Sequence, residues 1–159
     1  MVCRLIDSPA GPLLLAAEQG ALCAIRFGGQ GWREDPDEAA SAGPDAAVLD
    51  GAERQLEEYF AGRRTTFDLP LRPAGTPFQQ RVWAVLRTIP YGRTMSYGEV
   101  AARIGNPRAS RAVGMANHAN PLPIVIPCHR VIGASGRLTG YAGGLAVKRL
   151  LLGLEQGRI

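Results

Sequence analysis

Alternating apolar and polar positions at the start of the chain predict three short strands. VCRLID, PLLLAA and ALCAIRF are rich in branched or bulky residues, and the intervening SPAG and EQG are typical of hairpin turns. A polar, glycine-rich loop follows over residues 28–43. From Pro44 to Phe60 the apolar residues return at helical spacing, which predicts one amphipathic helix. Residues 61–75 look like a further strand and a linker.

The next stretch, TPFQQRVWAVLRTIP, predicts a helix with clear start and stop signals. Thr76 is placed to cap it, Pro77 fits the first helical position, and Gln79 completes a capping box. Pro90 ends the helix. The predicted apolar stripe consists of Phe78, Val82, Val85, Leu86 and Ile89.

Two further capped helices are predicted in SYGEVAARIG and NPRASRAVGMANH. Ser96 and Glu99 form the capping box of the first, Gly105 ends it, and Asn106 and Pro107 begin the second. The second is expected to turn Ala109, Ala112, Val113 and Ala116 inward, and Arg108, Arg111, Met115 and His118 outward. A helix pair joined by a glycine turn fits a helix-turn-helix, although ordinary helix pairs are far commoner.

The rest of the chain predicts a buried strand and a final helix. IVIP is a branched apolar run that Pro127 interrupts, and LAVKRLLLGLEQ (145–156) is leucine-rich and helical in pattern. The glycine-rich loop GRLTGYAGG lies between them. We expect an α/β (α+β) chain of two domains, residues 1–72 and 73–159.

The charge distribution separates the two predicted domains more sharply than the pattern of apolar and polar positions does. The net charge of +4 divides into 6 Arg against 12 Asp/Glu up to Leu71, and 12 Arg/Lys against Glu99 and Glu155 after it. The halves therefore carry −6 and +10. A basic half that is poor in acidic residues fits a polyanion partner. A solvated, arginine-rich surface is the alternative.

Cysteine usage and the start of the chain bear on its compartment. Three scattered cysteines do not suggest a disulfide framework and favour a reducing compartment. The first residues lack the apolar run of a signal peptide, and no apolar stretch is long enough to cross a bilayer. We expect a cytoplasmic protein with no membrane association.

Cys128 is the candidate for chemistry. Cys3 and Cys23 fit small buried residues of strands, whereas Cys128 follows a proline and precedes His129, a possible base. Glu155 could orient that histidine as a third member of a relay. A buried structural thiol remains the alternative, and a metal site is disfavoured because further ligands at suitable spacing are missing.

Two uses of a reactive Cys128 are open at this point. A hydrolytic cysteine enzyme would need an oxyanion hole and a cleft, and no motif identifies either. A thiolate facing DNA could instead accept an alkyl group from an alkylated base by in-line displacement. A lesion sensor or helix-turn-helix regulator would share the basic half but would not need the thiol.

Residues 76–156 closely resemble the O6-alkylguanine-DNA alkyltransferases. The resemblance rests on PFQQRVWAVLRTIPYGRTMSYGEVA and on RAVGMANHANPLPIVIPCHRVIG, with Asn-Pro upstream of PCHRV and Tyr-x-Gly-Gly downstream. It implies a ribonuclease-H-like sheet domain followed by a helical domain with a winged-helix-like core. It also implies irreversible, single-turnover transfer of an alkyl group from O6-alkylguanine, and possibly O4-alkylthymine, in duplex DNA.

The resemblance also assigns roles to residues. Cys128 corresponds to the alkyl acceptor, with His129 and Glu155 in its water-mediated hydrogen-bond relay. Asn120 corresponds to a residue that holds the turn, and Tyr97 to one at the pocket edge that assists base flipping. Arg111 corresponds to the residue that fills the place of the flipped nucleotide. The other DNA-binding residues implied are Arg108, Ala112, Gly114 and Asn117, and the substrate pocket comprises Val131, Tyr141, Ala142 and Gly143, with the Ala142 N–H meeting the guanine O6.

The chain departs from some relatives in ways that bear on metals. The zinc ligands of some animal relatives and the four-cysteine domain of the adaptive-response relatives are not reproduced, so we expect neither a metal nor a cofactor. The resemblance further implies a monomer, and leaves open whether molecules cluster cooperatively on DNA.

Overall fold

The structure is a computed structural model that describes residues 1–28 and 43–157. The chain divides into two compact units, Met1–Ala74 and Gly75–Ile159. The predicted polar loop at residues 28–43 lies almost entirely outside the described residues.

The first unit contains a three-stranded antiparallel sheet in the order β1-β2-β3. The strands are β1 (Val2–Ile6), β2 (Leu13–Glu18) and β3 (Ala21–Phe27), as the pattern predicts. Helix α1 (Pro44–Phe60) contacts all three strands. Its buried face includes Val48, Ala52, Leu56 and Tyr59, as helical spacing predicts, whereas Phe60, predicted on the same face, is half-buried.

The strand predicted within residues 61–75 is reduced to one bridge. Leu71 lies parallel to Leu22, whose N–H donates to the Pro70 carbonyl and whose carbonyl accepts from the Arg72 N–H. Pro70 and Pro73 have no N–H group to donate to a ladder, so the pairing does not extend.

The second unit opens with helix α2 (Pro77–Leu86), whose capping box is present. The Thr76 hydroxyl accepts from the Gln79 N–H at 3.1 Å, and the Gln79 side chain accepts from the Thr76 N–H at 2.9 Å. The apolar stripe was predicted without Trp83, which is buried and donates its indole N–H to the Ala116 carbonyl at 2.8 Å.

Helix α3 (Tyr97–Arg103) begins directly after β4 (Met95–Ser96). The Ser96 hydroxyl caps it by accepting a hydrogen bond from the Glu99 N–H. Of the two hydrogen bonds in the predicted capping box, this is the one observed among the described residues. The helix ends at Gly105, where φ is +81°, and the Asn106 N–H returns to the Ala101 carbonyl. Glycine suits this left-handed conformation because it has no Cβ to clash.

Helix α4 spans Ser110–His118 and starts later than predicted. Asn106 and Pro107 form a turn before it, and no side chain caps its first turn. Its buried residues are Val113, Ala116 and Asn117, whereas Ala112, predicted inward, is exposed. Val113, Ala116 and Asn117 form the packed face at i, i+3 and i+4 spacing, and Ala112 lies outside it.

The buried strand predicted at IVIP is absent, and residues 121–127 form a series of tight turns instead. Prolines 121, 123 and 127 offer no N–H group to a ladder. The Ile126 N–H bonds back to the Leu122 carbonyl at 2.8 Å, and Ile124 has a φ of +74°. Such a φ is unfavourable for a β-branched residue, so the buried surroundings must hold it there.

The turns lead into the elements that carry the chemistry. A 3₁₀ turn (Cys128–Arg130) runs into β5 (Val131–Ile132), which pairs in parallel with β4. Helix α5 (Leu145–Glu155) closes the unit and contacts the 3₁₀ turn. Across residues 1–28 and 43–157, every helix is too short or too polar to cross a lipid bilayer.

Candidate active site and helix α4

Cys128 is buried, with 3% of its surface exposed, at the first position of the 3₁₀ turn. Two asparagines fix the backbone around it. Asn120 donates to the Ile126 carbonyl at 2.8 Å and accepts from the Leu122 N–H at 2.9 Å, which closes the proline-rich turn. Asn117 donates to the carbonyl of Cys128 itself at 3.3 Å. The thiol is therefore held on a rigid backbone.

His129 and Glu155 are in direct contact. The His129 Nε2 atom lies 2.6 Å from the Glu155 Oε2 atom, and both side chains are fully buried. The other ring nitrogen, Nδ1, is buried and has no hydrogen-bond partner among the described residues. Because Glu155 fixes Nε2 as the donor, Nδ1 is the nitrogen that can take a proton.

Arg130 belongs to this cluster, although the sequence did not single it out. Its Nε and Nη2 atoms donate to the two carboxylate oxygens of Glu155 at 2.7 and 3.0 Å, and Nη1 donates to the Ile89 carbonyl at 2.7 Å. Its guanidinium also lies over the Tyr91 ring. The bidentate pairing orients the carboxylate that His129 uses.

Lys148 is a second buried cation that the sequence pattern did not reveal. It lies on α5 in a leucine-rich run, and its ammonium group donates to the Val131 carbonyl at 2.7 Å and to the Thr139 carbonyl at 3.3 Å. The ammonium therefore joins strand β5 to the loop before α5.

Burial sets the resting protonation of Cys128 and His129. It raises the pKa of the Cys128 thiol to about 11, against the smaller opposing effects of hydrogen bonding from Asn120 and the positive charge of Lys148. Burial likewise lowers the pKa of His129, although Glu155 opposes this. At neutral pH the site therefore holds a neutral thiol and a neutral imidazole.

This titration predicts a stability change at alkaline pH. A thiol with a pKa of 9.0 when unfolded and about 11 when folded binds its proton more tightly in the folded protein. Its contribution is fully present below the unfolded pKa and is lost as pH rises through the folded one. By about pH 11 we expect wild type to lose about 2–3 kcal/mol of unfolding free energy relative to Cys128→Ala.

Denaturant unfolding of both proteins at pH 8 and near pH 11 measures this difference. The Cys128→Ala protein carries the same other titrating groups, so their contributions cancel in the comparison. A free-energy difference between the two proteins that stays constant over this range would contradict the assigned burial of the thiol.

The predicted pocket residues lie in and beside the loop before α5. Tyr97 is half-buried, and its hydroxyl is hydrogen-bonded to the Thr139 hydroxyl. Tyr141 is buried, and its hydroxyl lowers the pKa of Cys128 against the larger effect of burial. Ala142 is exposed at a turn closed by the Gly144 N–H on the Tyr141 carbonyl. Gly143 is half-buried, and Val131 is fully buried in β5.

The predicted DNA-binding residues lie on α4 and in the turn just before it. Arg108, Arg111 and Ala112 are exposed, together with Met115 and His118. Gly114 faces Tyr97, since a Cβ built there would lie 3.8 Å from the Tyr97 ring. Asn117, by contrast, is buried, and its side-chain amide donates to the carbonyl of Cys128.

The comparison with known families decides what this arrangement belongs to. The ribonuclease-like domain of 6-O-methylguanine DNA methyltransferase matches residues 1–73, and the DNA binding domain of the same family matches residues 77–157. The chain belongs to the 6-O-methylguanine DNA methyltransferase family.

Two relatives of this 6-O-methylguanine DNA methyltransferase family member align with it over nearly its whole length. The methylated-DNA–protein-cysteine methyltransferase of Mycobacterium tuberculosis is 54% identical over 155 residues, covering 98% of this chain and 92% of the relative. That of Methanosarcina acetivorans is 51% identical over 156 residues, covering 98% of each.

A solved structure of Mycobacterium tuberculosis OGT in complex with DNA has a TM-score of 0.86 and 52% identity to this chain, covering 99% of it and 94% of the solved chain. The fold expected for this family, a small sheet domain followed by a helical domain, is confirmed. Within the described parts of the chain, no group of three or more His, Cys, Asp or Glu side chains could hold a metal ion.

Proposed function

We propose that this protein repairs O6-alkylguanine in duplex DNA by transferring the alkyl group irreversibly to Cys128. The observation that carries the proposal is the buried thiol beside a histidine that is oriented by a buried carboxylate. Transfer of a labelled methyl group from duplex DNA to this cysteine is the direct test, because a protein that only bound lesions would leave the label on the DNA.

The proposed reaction is an in-line displacement at the alkyl carbon. The Cys128 sulfur forms a bond to that carbon as the bond between carbon and the guanine O6 breaks, and the electron pair of that bond leaves with the guanine. The thiol proton passes through a bridging water to Nδ1 of His129 and finally to the departing base, so the products are guanine and a thioether. The thioether is not hydrolysed, and each molecule therefore reacts once.

The neutral resting state fits this sequence of events. A thiol with a pKa of about 11 is a weak nucleophile until its proton is removed. When His129 accepts the proton, Glu155 lies 2.6 Å away and stabilises the imidazolium. The thiolate thus forms only as the alkylated base occupies the site, with the Lys148 charge favouring it.

The pocket residues act on the base. The base must leave the stack to reach a buried thiol, which costs a few kcal/mol. We assign Tyr97 to the pocket edge, where its hydroxyl can bond the flipped base. The N–H of Ala142 has no hydrogen bond to the described part of the chain and is assigned to the guanine O6. Because the backbone N–H makes this contact, the side chain at position 142 does not need a polar group.

Arg111 is assigned to the space that the flipped nucleotide leaves in the duplex. It is exposed on α4, on the side away from the core residues Val113 and Ala116. Arginine can insert from the minor groove and substitute for the lost stacking. Exposed Arg108 contacts phosphate, and Ala112 allows the helix to approach closely.

Arg111→Ala should slow methyl transfer from duplex DNA by about 100-fold, because about 3 kcal/mol of base-flipping cost would no longer be offset. The same variant should react with free O6-methylguanine base within a few-fold of wild type. Single-turnover rates on the two substrates measure this, and equal slowing on both would place Arg111 in the chemistry instead.

The remaining parts of the proposal concern setting and scope. Residues 73–159 carry both DNA binding and alkyl acceptance, and residues 1–72 form the sheet domain. The protein acts as a monomer in the cytoplasm and uses neither metal nor cofactor. O6-methylguanine is the proposed substrate, with O4-methylthymine as a further candidate.

A further inference from the structure

We infer that Met115 enters the minor groove beside Arg111 and supplies an apolar, salt-independent part of the affinity for DNA. This inference rests on the proposed function and adds a residue to it. Met115 is 76% exposed, more than any other large apolar residue that the structure describes. Met95, by contrast, is buried at 8% exposure. Single exposed apolar side chains are common on protein surfaces, so it is the position of Met115 on α4 that indicates a contact.

The position of Met115 on α4 indicates what covers it. It is four residues after Arg111, so the two side chains lie on one face about 6 Å apart along the helix axis. Exposed His118 lies on the same face, and exposed Arg108 lies in the turn just before the helix. Val113 and Ala116 face the core instead. A polyanion that meets the arginines would therefore also cover Met115.

The spacing places Met115 at a particular point of the duplex. For a helix lying along the groove, about 6 Å corresponds to about two nucleotide steps of 3.4 Å. With Arg111 at the vacated position, Met115 reaches the neighbouring steps, where the duplex is distorted. Methionine is flexible and polarizable enough to fit an irregular apolar surface, and it is among the side chains that act as minor-groove wedges.

An apolar contact has a signature that separates it from a phosphate contact. It displaces no counterion, so it leaves the slope of log K against log salt concentration unchanged, whereas loss of one phosphate contact lowers the slope by about 1. The two kinds of residue on this face can therefore be distinguished in one titration series.

The experiment measures Kd for a short duplex with one O6-methylguanine at several salt concentrations. All variants are made in Cys128→Ser protein so that the lesion is not consumed. We expect Met115→Gln, of similar size but polar, to raise Kd about tenfold at every salt concentration with an unchanged slope. Met115→Leu should stay within about threefold of the parent, because it restores an apolar side chain.

Two matched variants complete the design. Arg108→Gln should lower the slope by about 1, and Leu5→Gln, at a half-exposed leucine of β1, should leave Kd unchanged. Circular dichroism melts confirm that each variant is folded, as expected for exposed positions.

Three outcomes would overturn the inference. If Met115→Gln binds like the parent while Arg108→Gln lowers the slope, the face binds DNA without Met115 and the proposed function is unaffected. If neither substitution alters binding, the assignment of this face to DNA fails. If Met115→Gln instead changes the sedimentation of the free protein, Met115 covers a contact with a second copy of this chain.

Discussion

A Glu155→Gln protein is expected to transfer methyl groups about 100-fold more slowly than wild type. Glu155 is the only partner of His129 Nε2 that the structure describes, at 2.6 Å, and its carboxylate also binds Arg130 through both oxygens. When His129 takes the thiol proton, the neutral amide of glutamine would leave an imidazolium and a guanidinium side by side without a counter-charge. The step that creates the thiolate therefore becomes unfavourable.

The same substitution should destabilise the folded protein by about 3–5 kcal/mol. It removes one member of a buried ion pair and leaves the charge of Arg130, whose side chain is 8% exposed, without its carboxylate. The free energy of unfolding from denaturant titration measures this loss. The transfer rate is measured at a temperature where circular dichroism shows the variant to be folded, so that the two effects are separate.

Glu99→Gln is the matched control for this pair of measurements. Glu99 is an exposed carboxylate in the same unit, and the bond it makes to Ser96 uses its backbone N–H rather than its side chain. We expect the free energy of unfolding of the Glu99→Gln protein to differ from that of wild type by less than about 0.5 kcal/mol, and its transfer rate to be unchanged. A folded Glu155→Gln protein with a transfer rate within about twofold of wild type would contradict the relay.

Local signals predicted much of the fold. Thr76, Pro77 and Gln79 fixed the start of α2, Gly105 fixed the end of α3, and the hairpin turns fixed the three strands. These signals work because a cap or a tight turn is satisfied by residues that are neighbours in sequence. Adjacency in sequence singled out Cys128 and His129, and the scarcity of acidic residues after Leu71 singled out Glu155. The resemblance to the family supplied Asn120.

The remaining features depend on contacts that are distant in sequence. Arg130 and Lys148 look like surface cations until the structure brings Glu155 and the loop carbonyls to them. IVIP has the composition of a strand, but its flanking prolines and the side chain of Asn120 impose turns. Asn117 lies on the buried face of α4, and its contact with the Cys128 carbonyl joins residues that are 11 positions apart in sequence.

Cys128→Ser should abolish methyl transfer, since a serine hydroxyl is a far weaker nucleophile than a thiolate in this displacement. The substitution replaces one small buried atom and keeps Asn117, Asn120 and the exposed face of α4, so DNA binding should be largely retained. Cys3→Ser and Cys23→Ser are the matched controls. Both lie half-buried on strands of the first unit, and burial raises the pKa of Cys23.

The measurement that tests the account most directly follows a labelled methyl group from O6-methylguanine in duplex DNA into the protein. We predict one label per molecule of wild type, Cys3→Ser and Cys23→Ser, located by peptide mapping on the segment that contains Cys128, and none on Cys128→Ser. Label on Cys128→Ser protein, or label of wild type on any other peptide, would contradict the assignment of Cys128 as the alkyl acceptor.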